Sequence, residues 1–193
     1  MPDTFESSRE LELAKSADEV WEWLSQIANV MTVNQFHVGI DCDPADVRDP
    51  HVGLDVPIVH DIAGHRHVRL AKITRLADYE IAWGERLPDP AAFDRFPHSE
   101  GWKVEPLGPG RCKIRNHLRG RHFFPLSDVI GKELWEVRTP PILDNDLQDV
   151  AFAVGAVERK VHVPIPPFAL VLDKLSRAKT IDGVPVAEFF DLA

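Results

Sequence analysis

Between Phe5 and Val30 the hydrophobic period of this chain changes from two to 3.6, and a helix cap marks the change. Phe5, Leu11 and Leu13 share one parity, with Glu6, Ser8, Glu10 and Glu12 on the other. That is the pattern of a half-buried strand. The alternation stops at Ser16. Ser16 to Glu19 reads Ser-Ala-Asp-Glu, a capping box in which Ser16 accepts from the N–H of Glu19 and Glu19 reaches back to the N–H of Ser16. Val20, Leu24, Ile27 and Met31 then recur at helical spacing.

A run of strands follows. Phe36, Val38, Ile40 and Cys42 alternate with His37, Gly39, Asp41 and Asp43. Residues 43–51 form a polar, Pro-containing loop. Leu54, Val56, Ile58 and His60 share one face of the next strand. Residues 61–64 make a turn, 65–76 and 79–87 read as strands, and 88–96 is a second loop rich in Pro and Asp. Residues 101–107 and 111–123 are strands around the tight turn Gly108-Pro109-Gly110.

The period then returns to 3.6. Pro140-Pro141 suits a helix entry, and Leu143, Leu147, Val150, Val154 and Val157 form an apolar stripe. A helix from Pro141 to Lys160 is about 30 Å long. Residues 127–138 are a further helical candidate. Hairpin-length turns imply an antiparallel sheet. The expected class is α+β: a curved antiparallel sheet of about seven strands around one long helix, with a ligand cavity between them.

Net charge is −9 over 193 residues, which disfavours nucleic acid and an anionic membrane surface as partners. No apolar run approaches ~20 residues, so no membrane span is expected. Cys42 and Cys112 are the only cysteines. With no basic-then-apolar leader, a reduced cytoplasmic protein is the default.

The stretches ELELAKSADEVWEWLSQIANV, VRLAKITRLADYEIAWGE and GWKVEPLGPGRCKIRNHLRG, followed by the amphipathic helix, resemble the START/birch-pollen-allergen (SRPBCC) superfamily, nearest its polyketide cyclase/dehydrase-like branch. The resemblance covers about Thr4 to Lys160. It implies a helix-grip fold and a deep pocket for an apolar, aromatic or polycyclic small molecule. It implies no cofactor and carries over no shared catalytic motif; members include carriers, cyclases, hydrolases and chaperone regulators. The chain therefore divides into a helix-grip domain, 1–160, and an extension, 161–193. The extension begins with the stiff Val163-Pro-Ile-Pro-Pro167. Its apolar residues, Phe168 to Leu175 and Val184 to Phe190, suit packing on the domain or a homodimer contact.

Leu54, Val56, Ile58, Ile73, Ile81, Trp83, Trp102 and Val104 from the sheet, with Leu143, Leu147, Val150 and Val154 from the helix, are the expected pocket walls. His60, His65 and His67 share a sheet face if the turn after His60 has two or four residues, and split if it has three. Paired across strands, they are close enough to share a zinc ion or an anion. A solvated hairpin is the plainer reading. Without metal, His60, His67, Arg69 and Asn116 orient polar ligand groups or serve acid/base and oxyanion roles. Glu85 follows Trp83 on the same face. If buried it would have a raised pKa and could act as an acid or base; otherwise it pairs with Arg86 or Arg69. Arg111, Lys113, Arg115, Arg119 and Arg121 form a basic outer face, expected to be balanced by Glu10 and Glu105.

Overall fold

The computed structural model describes residues 3–62, 65–94, 96–122, 136–166, 180–181 and 184–185. The elements are β1 (Asp3–Leu13), α1 (Ala17–Leu24), α2 (Ile27–Val30), β2 (His37–Ile40), β3 (Asp55–Ile62), β4 (His65–Ala77), β5 (Glu80–Arg86), β6 (His98–Gly108), β7 (Arg111–His122), α3 (Thr139–Ala153), β8 (Thr180–Ile181) and β9 (Val184–Pro185). Strands β1 to β7 form one seven-stranded sheet in the order β1-β7-β6-β5-β4-β3-β2. Every pairing in it is antiparallel. Among the described residues, strands β8 and β9 pair only with each other.

The cap at Ser16 forms as expected. Ser16 Oγ accepts from Glu19 N at 3.3 Å, and Glu19 Oε2 accepts from Ser16 N at 3.0 Å. The β4–β5 turn puts Asp78 and Tyr79 at φ 53° and 61°, the left-handed pair that matches strand twist in a two-residue hairpin. Two residues, 63 and 64, separate β3 from β4, and His60 lies opposite His67. This is the two-residue register, with both imidazoles on one face.

Inward residues alternate along each strand. Val56, Ile58, Ala71, Ile73, Ile81, Trp83, Trp102, Val104 and Ile114 join Val20, Leu24, Ile27 and Met31 of the α1–α2 segment and Leu147 and Val150 of α3 in one core. Such side chains each contribute roughly 1.5–3 kcal/mol on burial. On the outer face Arg111, Lys113 and Arg115 of β7 are matched by acids on both neighbours. Arg111 reaches Glu12 at 2.9 Å, Lys113 reaches Glu105 at 3.0 Å, and Arg115 pairs with Glu10.

Two expectations are corrected. Helix α3 begins at Thr139 and ends at Ala153, not at Lys160. Gly155 stops it, at φ 66°. Ala156 N donates to Ala151 O and Gly155 N to Phe152 O, at 2.8 and 3.0 Å, which together make a Schellman motif. The start of strand β2 also faces the other way: Val38 is exposed and His37 is buried, and a register shift between His37 and Gly39 returns Ile40 and Cys42 to the core side as expected. A bulge re-aims a side chain in this manner.

After α3 the chain turns back along it. Asn145 Nδ2 donates to Val163 O at 3.1 Å, and Val163 N donates to Asn145 Oδ1 at 2.7 Å. Arg138 Nε donates to Pro166 O at 2.9 Å. Of the helical candidate over 127–138, residues 127–135 lie outside the described residues and 136–138 lead helically into α3; the apolar stretch Phe168 to Leu175 and most of 184–190 also lie outside them.

Candidate functional site

The inward row at one end of the sheet is polar. It runs from His98 on β6 through Glu85 on β5 and Arg69 on β4 to His60 on β3 and His37 on β2, five neighbouring strands. Period-two alternation places each of these side chains on the concave face. All but His98 are at most 6% exposed, and the His98 side chain is 8% exposed.

Glu85 is the hub. Its Oε1 accepts from Trp83 Nε1 at 3.1 Å and lies 3.8 Å from His37 Nε2. Its Oε2 lies 3.1 Å from both His60 Nε2 and His98 Nε2 and 3.5 Å from Arg69 Nε. Arg69 Nη2 in turn donates to Asp94 Oδ2 at 2.7 Å and Phe96 O at 3.1 Å. Asp94 comes from the loop after β5 and closes one side of the cluster.

The expected rise in the Glu85 pKa does not occur. Burial pushes it up, but the imidazoles of His98, His60 and His37 outweigh burial and hold it well below the usual carboxylate range. Burial also lowers His37, to about 4, against the pull of Glu85. The two shifts drive Glu85 toward its anion and His37 toward its neutral ring.

A second polar group lies beside the first. Glu100 is opposite Trp83 in the β5–β6 register. Asn116 on β7 is opposite Trp102 on β6. Asn116 Nδ2 lies 3.4 Å from Glu100 Oε1 and 3.4 Å from Asp146 Oδ2 of α3. All of these are buried. Burial, then the charge on Glu85, raises Glu100 to about 8. Burial, then Glu100 and Asp149, raises Asp146 well above its ordinary value. Two carboxyl groups sharing one amide in a dry interior stay protonated. Among the described residues, Asn116 Oδ1 and Trp102 Nε1 are buried with no hydrogen-bond partner.

No family profile and no curated sequence matches the chain. Solved structures do match. A START superfamily protein from Mycobacterium smegmatis superposes with TM-score 0.54 at 19% identity, over 74% of this chain and 93% of that one. A norcoclaurine synthase from Thalictrum flavum gives 0.55 at 15%, over 90% and 98%. The allergen Ara h 8.0201 gives 0.52 at 12%, over 79% and 98%. The chain has the START/birch-pollen-allergen helix-grip fold. The matches do not single out the polyketide cyclase branch.

Within that helix grip, the expected residues separate by role. Val56, Ile58, Ile73, Ile81, Trp83, Trp102, Val104, Leu147 and Val150 are in the shared core, with Leu54 and Val154 packed at its edge. Leu143 is also buried. Of the candidate polar set, His60, Arg69 and Glu85 converge. His67 stacks on His60, ring centroids 5.3 Å apart, one layer out from Glu85. The strand position of His65 is described but its side chain is not. The described groups that could hold a cation are instead His37, His60 and Glu85, with ligand atoms within 4.8 Å of one another.

Sequence reasoning missed His37, His98, Asp94, Glu100 and Asp146. Parity placed His37 with polar residues of an apparently solvated face. Asp94 lies within the Pro-rich loop and carried no periodic signal, and His98 precedes the residues read as strand. Glu100 did share parity with Trp102 and Val104, which was the signal available for it.

Depressions of about 280 Å³, lined by Glu6, Ser8, Glu80, Lys103, Arg115 and His117, and about 250 Å³, beside Glu19 and Gln26, are found among the described residues. The first is on the convex face and the second against α1, so neither is the expected cavity beneath α3.

Proposed function

We propose that the protein binds a small, largely apolar molecule carrying a hydrogen-bonding substituent, held between the concave sheet face and α3. The unpartnered pair Asn116 Oδ1 and Trp102 Nε1 carries this reading. One is an acceptor and one a donor. They are cross-strand neighbours amid apolar walls, and a buried polar atom without a partner costs roughly 1–3 kcal/mol. A hydroxyl or carbonyl of a ligand relieves that cost. The fold also supports it: a norcoclaurine synthase of this fold from Thalictrum flavum was solved with dopamine and hydroxybenzaldehyde, both hydroxylated aromatics. Entry requires α3 to shift from its packing on β1 and β7, since its buried face rests there.

A second reading, acid/base catalysis of the cyclase or dehydratase kind, is favoured by one arrangement. Glu100 and Asp146 share the Asn116 amide at 3.4 Å each, while ionised Glu85 lies one strand away. Carboxyls pushed apart in pKa are how one site supplies both an acid and a base. His60 and Arg69 would then support the charged partner.

Native mass spectrometry of the protein as purified tests retention of a ligand. Titration with 2-naphthol, followed by tryptophan fluorescence, tests the site. Saturable binding that Asn116→Leu weakens about tenfold supports the reading. Absence of binding in a folded, ligand-stripped sample overturns it. Turnover is the further sign of the second reading.

A further inference from the structure

The cluster around Glu85 differs from an ordinary buried ion-pair network in its tautomers. A backbone carbonyl only accepts. His37 Nδ1 is 2.9 Å from Met31 O, and His98 Nδ1 is 3.0 Å from Phe96 O, so these nitrogens carry the ring protons. In a neutral ring Nε2 then holds a lone pair. Both Nε2 atoms face the Glu85 carboxylate, at 3.8 and 3.1 Å. A lone pair turned on a carboxylate oxygen is repulsive unless a proton on Nε2 or a metal cation lies between them. The Nδ1–H to carbonyl bond is also the support that orients a metal-ligating histidine.

His60 adds an independent observation. Its Nε2 is 3.1 Å from Glu85 Oε2, yet both atoms are buried without a hydrogen-bond partner. They are close but misaligned for a shared proton. Donor atoms held by one ion behave this way, because each points at the ion and not at its neighbour. Four ligands ~2.1 Å from a tetrahedral ion stand ~3.4 Å apart. His37, His60 and Glu85 already hold ligand atoms within 4.8 Å of one another, and His98 Nε2 lies 3.1 Å from the same Glu85 oxygen as His60, so closing the set around one ion requires the His98 ring to move toward His37 and His60.

We propose that His37, His60, His98 and Glu85 are the ligands of a first-row divalent transition ion. Three imidazoles and a carboxylate without thiolate fit zinc best. Arg69 faces the same carboxylate and opposes a cation. Its charge is offset by Asp94 at 2.7 Å. With neutral imidazoles the set Glu85, Asp94 and Arg69 has one net negative charge, which a divalent ion overcompensates by no more than one. The ligands come from β2, β3, β5 and β6, so the ion ties four strands together and holds the curl of the sheet. With four protein ligands it is a closed, structural site. It is separate from the Asn116–Trp102 pair, and either assignment can fail without the other.

The test uses the full chain purified without a metal-affinity tag. Elemental analysis should find about one zinc per chain. After chelator treatment, titration with Co2+ should give the strong visible absorption of tetrahedral cobalt, and Zn2+ should abolish it. Zn2+ should also raise the melting temperature of the stripped protein. His37→Ala and Glu85→Gln should each weaken Co2+ binding at least about tenfold, while His51→Ala, at an exposed position, leaves it unchanged. The wild-type spectrum and melting shift stand even if a variant fails to fold. A stripped wild-type protein with neither cobalt absorption nor a melting shift overturns the proposal. So does a cobalt spectrum unchanged in folded His37→Ala and Glu85→Gln.

Discussion

His37 Nε2 lies 3.8 Å from Glu85 Oε1, although β3 and β4 separate the strands that carry them. In a flat sheet, strands three places apart are about 14 Å apart. The two side chains meet because the sheet curls and both point into the curl. The polar row is thus a consequence of curvature, and the curvature and the row depend on each other.

Glu85→Gln removes the one anion that His37, His60, His98 and Arg69 share. Arg69 keeps Asp94 but loses its second carboxylate. Breaking a buried charge network costs roughly 3–5 kcal/mol. Urea denaturation of the metal-free variant should show a fall of that order at neutral pH. A change under about 1 kcal/mol would mean that Glu85 is not the hub.

Stability should fall as pH rises from 6.5 to 8. Glu100 goes from 4.5 to about 8 on folding, by burial and then by Glu85. Between those values the folded state keeps a proton that the unfolded state has lost, so stability declines by ~1.4 kcal/mol per pH unit. Asp146 acts in the same direction. His37 drops from 6.5 to about 4, so its effect is the opposite: stability is lost as pH falls through that window, and its slope, about half its full size at pH 6.5, fades within roughly a unit above it. Denaturation curves of metal-free protein across pH 6.5–8 check the sum. Glu100→Gln should flatten the decline and raise stability at pH 8.

Gly120 sits where β7 passes under the Phe5 ring. A Cβ there would lie 2.5 Å from Phe5 and 2.8 Å from the His98 Cβ. Gly120→Ala should therefore cost about 1–3 kcal/mol by overpacking. It should also displace His98, seen as a changed His98 resonance in an NMR titration. Gly84, with nothing within 4 Å of such a Cβ, is the control.

Gly155→Ala places a side chain at φ 66° in the Schellman motif that ends α3. The expected cost is about 1 kcal/mol. Because Asn145 ties residue 163 back to the helix, limited proteolysis after residue 154 should also speed up. An unchanged cleavage rate would separate the motif from the path of the following segment.

Local and periodic features were legible in the sequence by itself: the Ser16 capping box, the alternation of Ile81, Trp83 and Glu85, the two-residue hairpin option that pairs His60 with His67, and the apolar stripe of α3. Each depends on residues within a few positions of one another, where backbone geometry alone sets direction. The inward aim of His37 needed the register shift in β2. The meeting of His37, Glu85 and His98 needed the curl of five strands. The charge states of Glu85 and Glu100, neighbours across one sheet yet driven in opposite directions, needed the full set of buried charges around each. The sequence by itself determined the container. Tertiary structure decided which polar groups share its interior, because burial and long-range proximity are properties of the closed sheet and of no single segment.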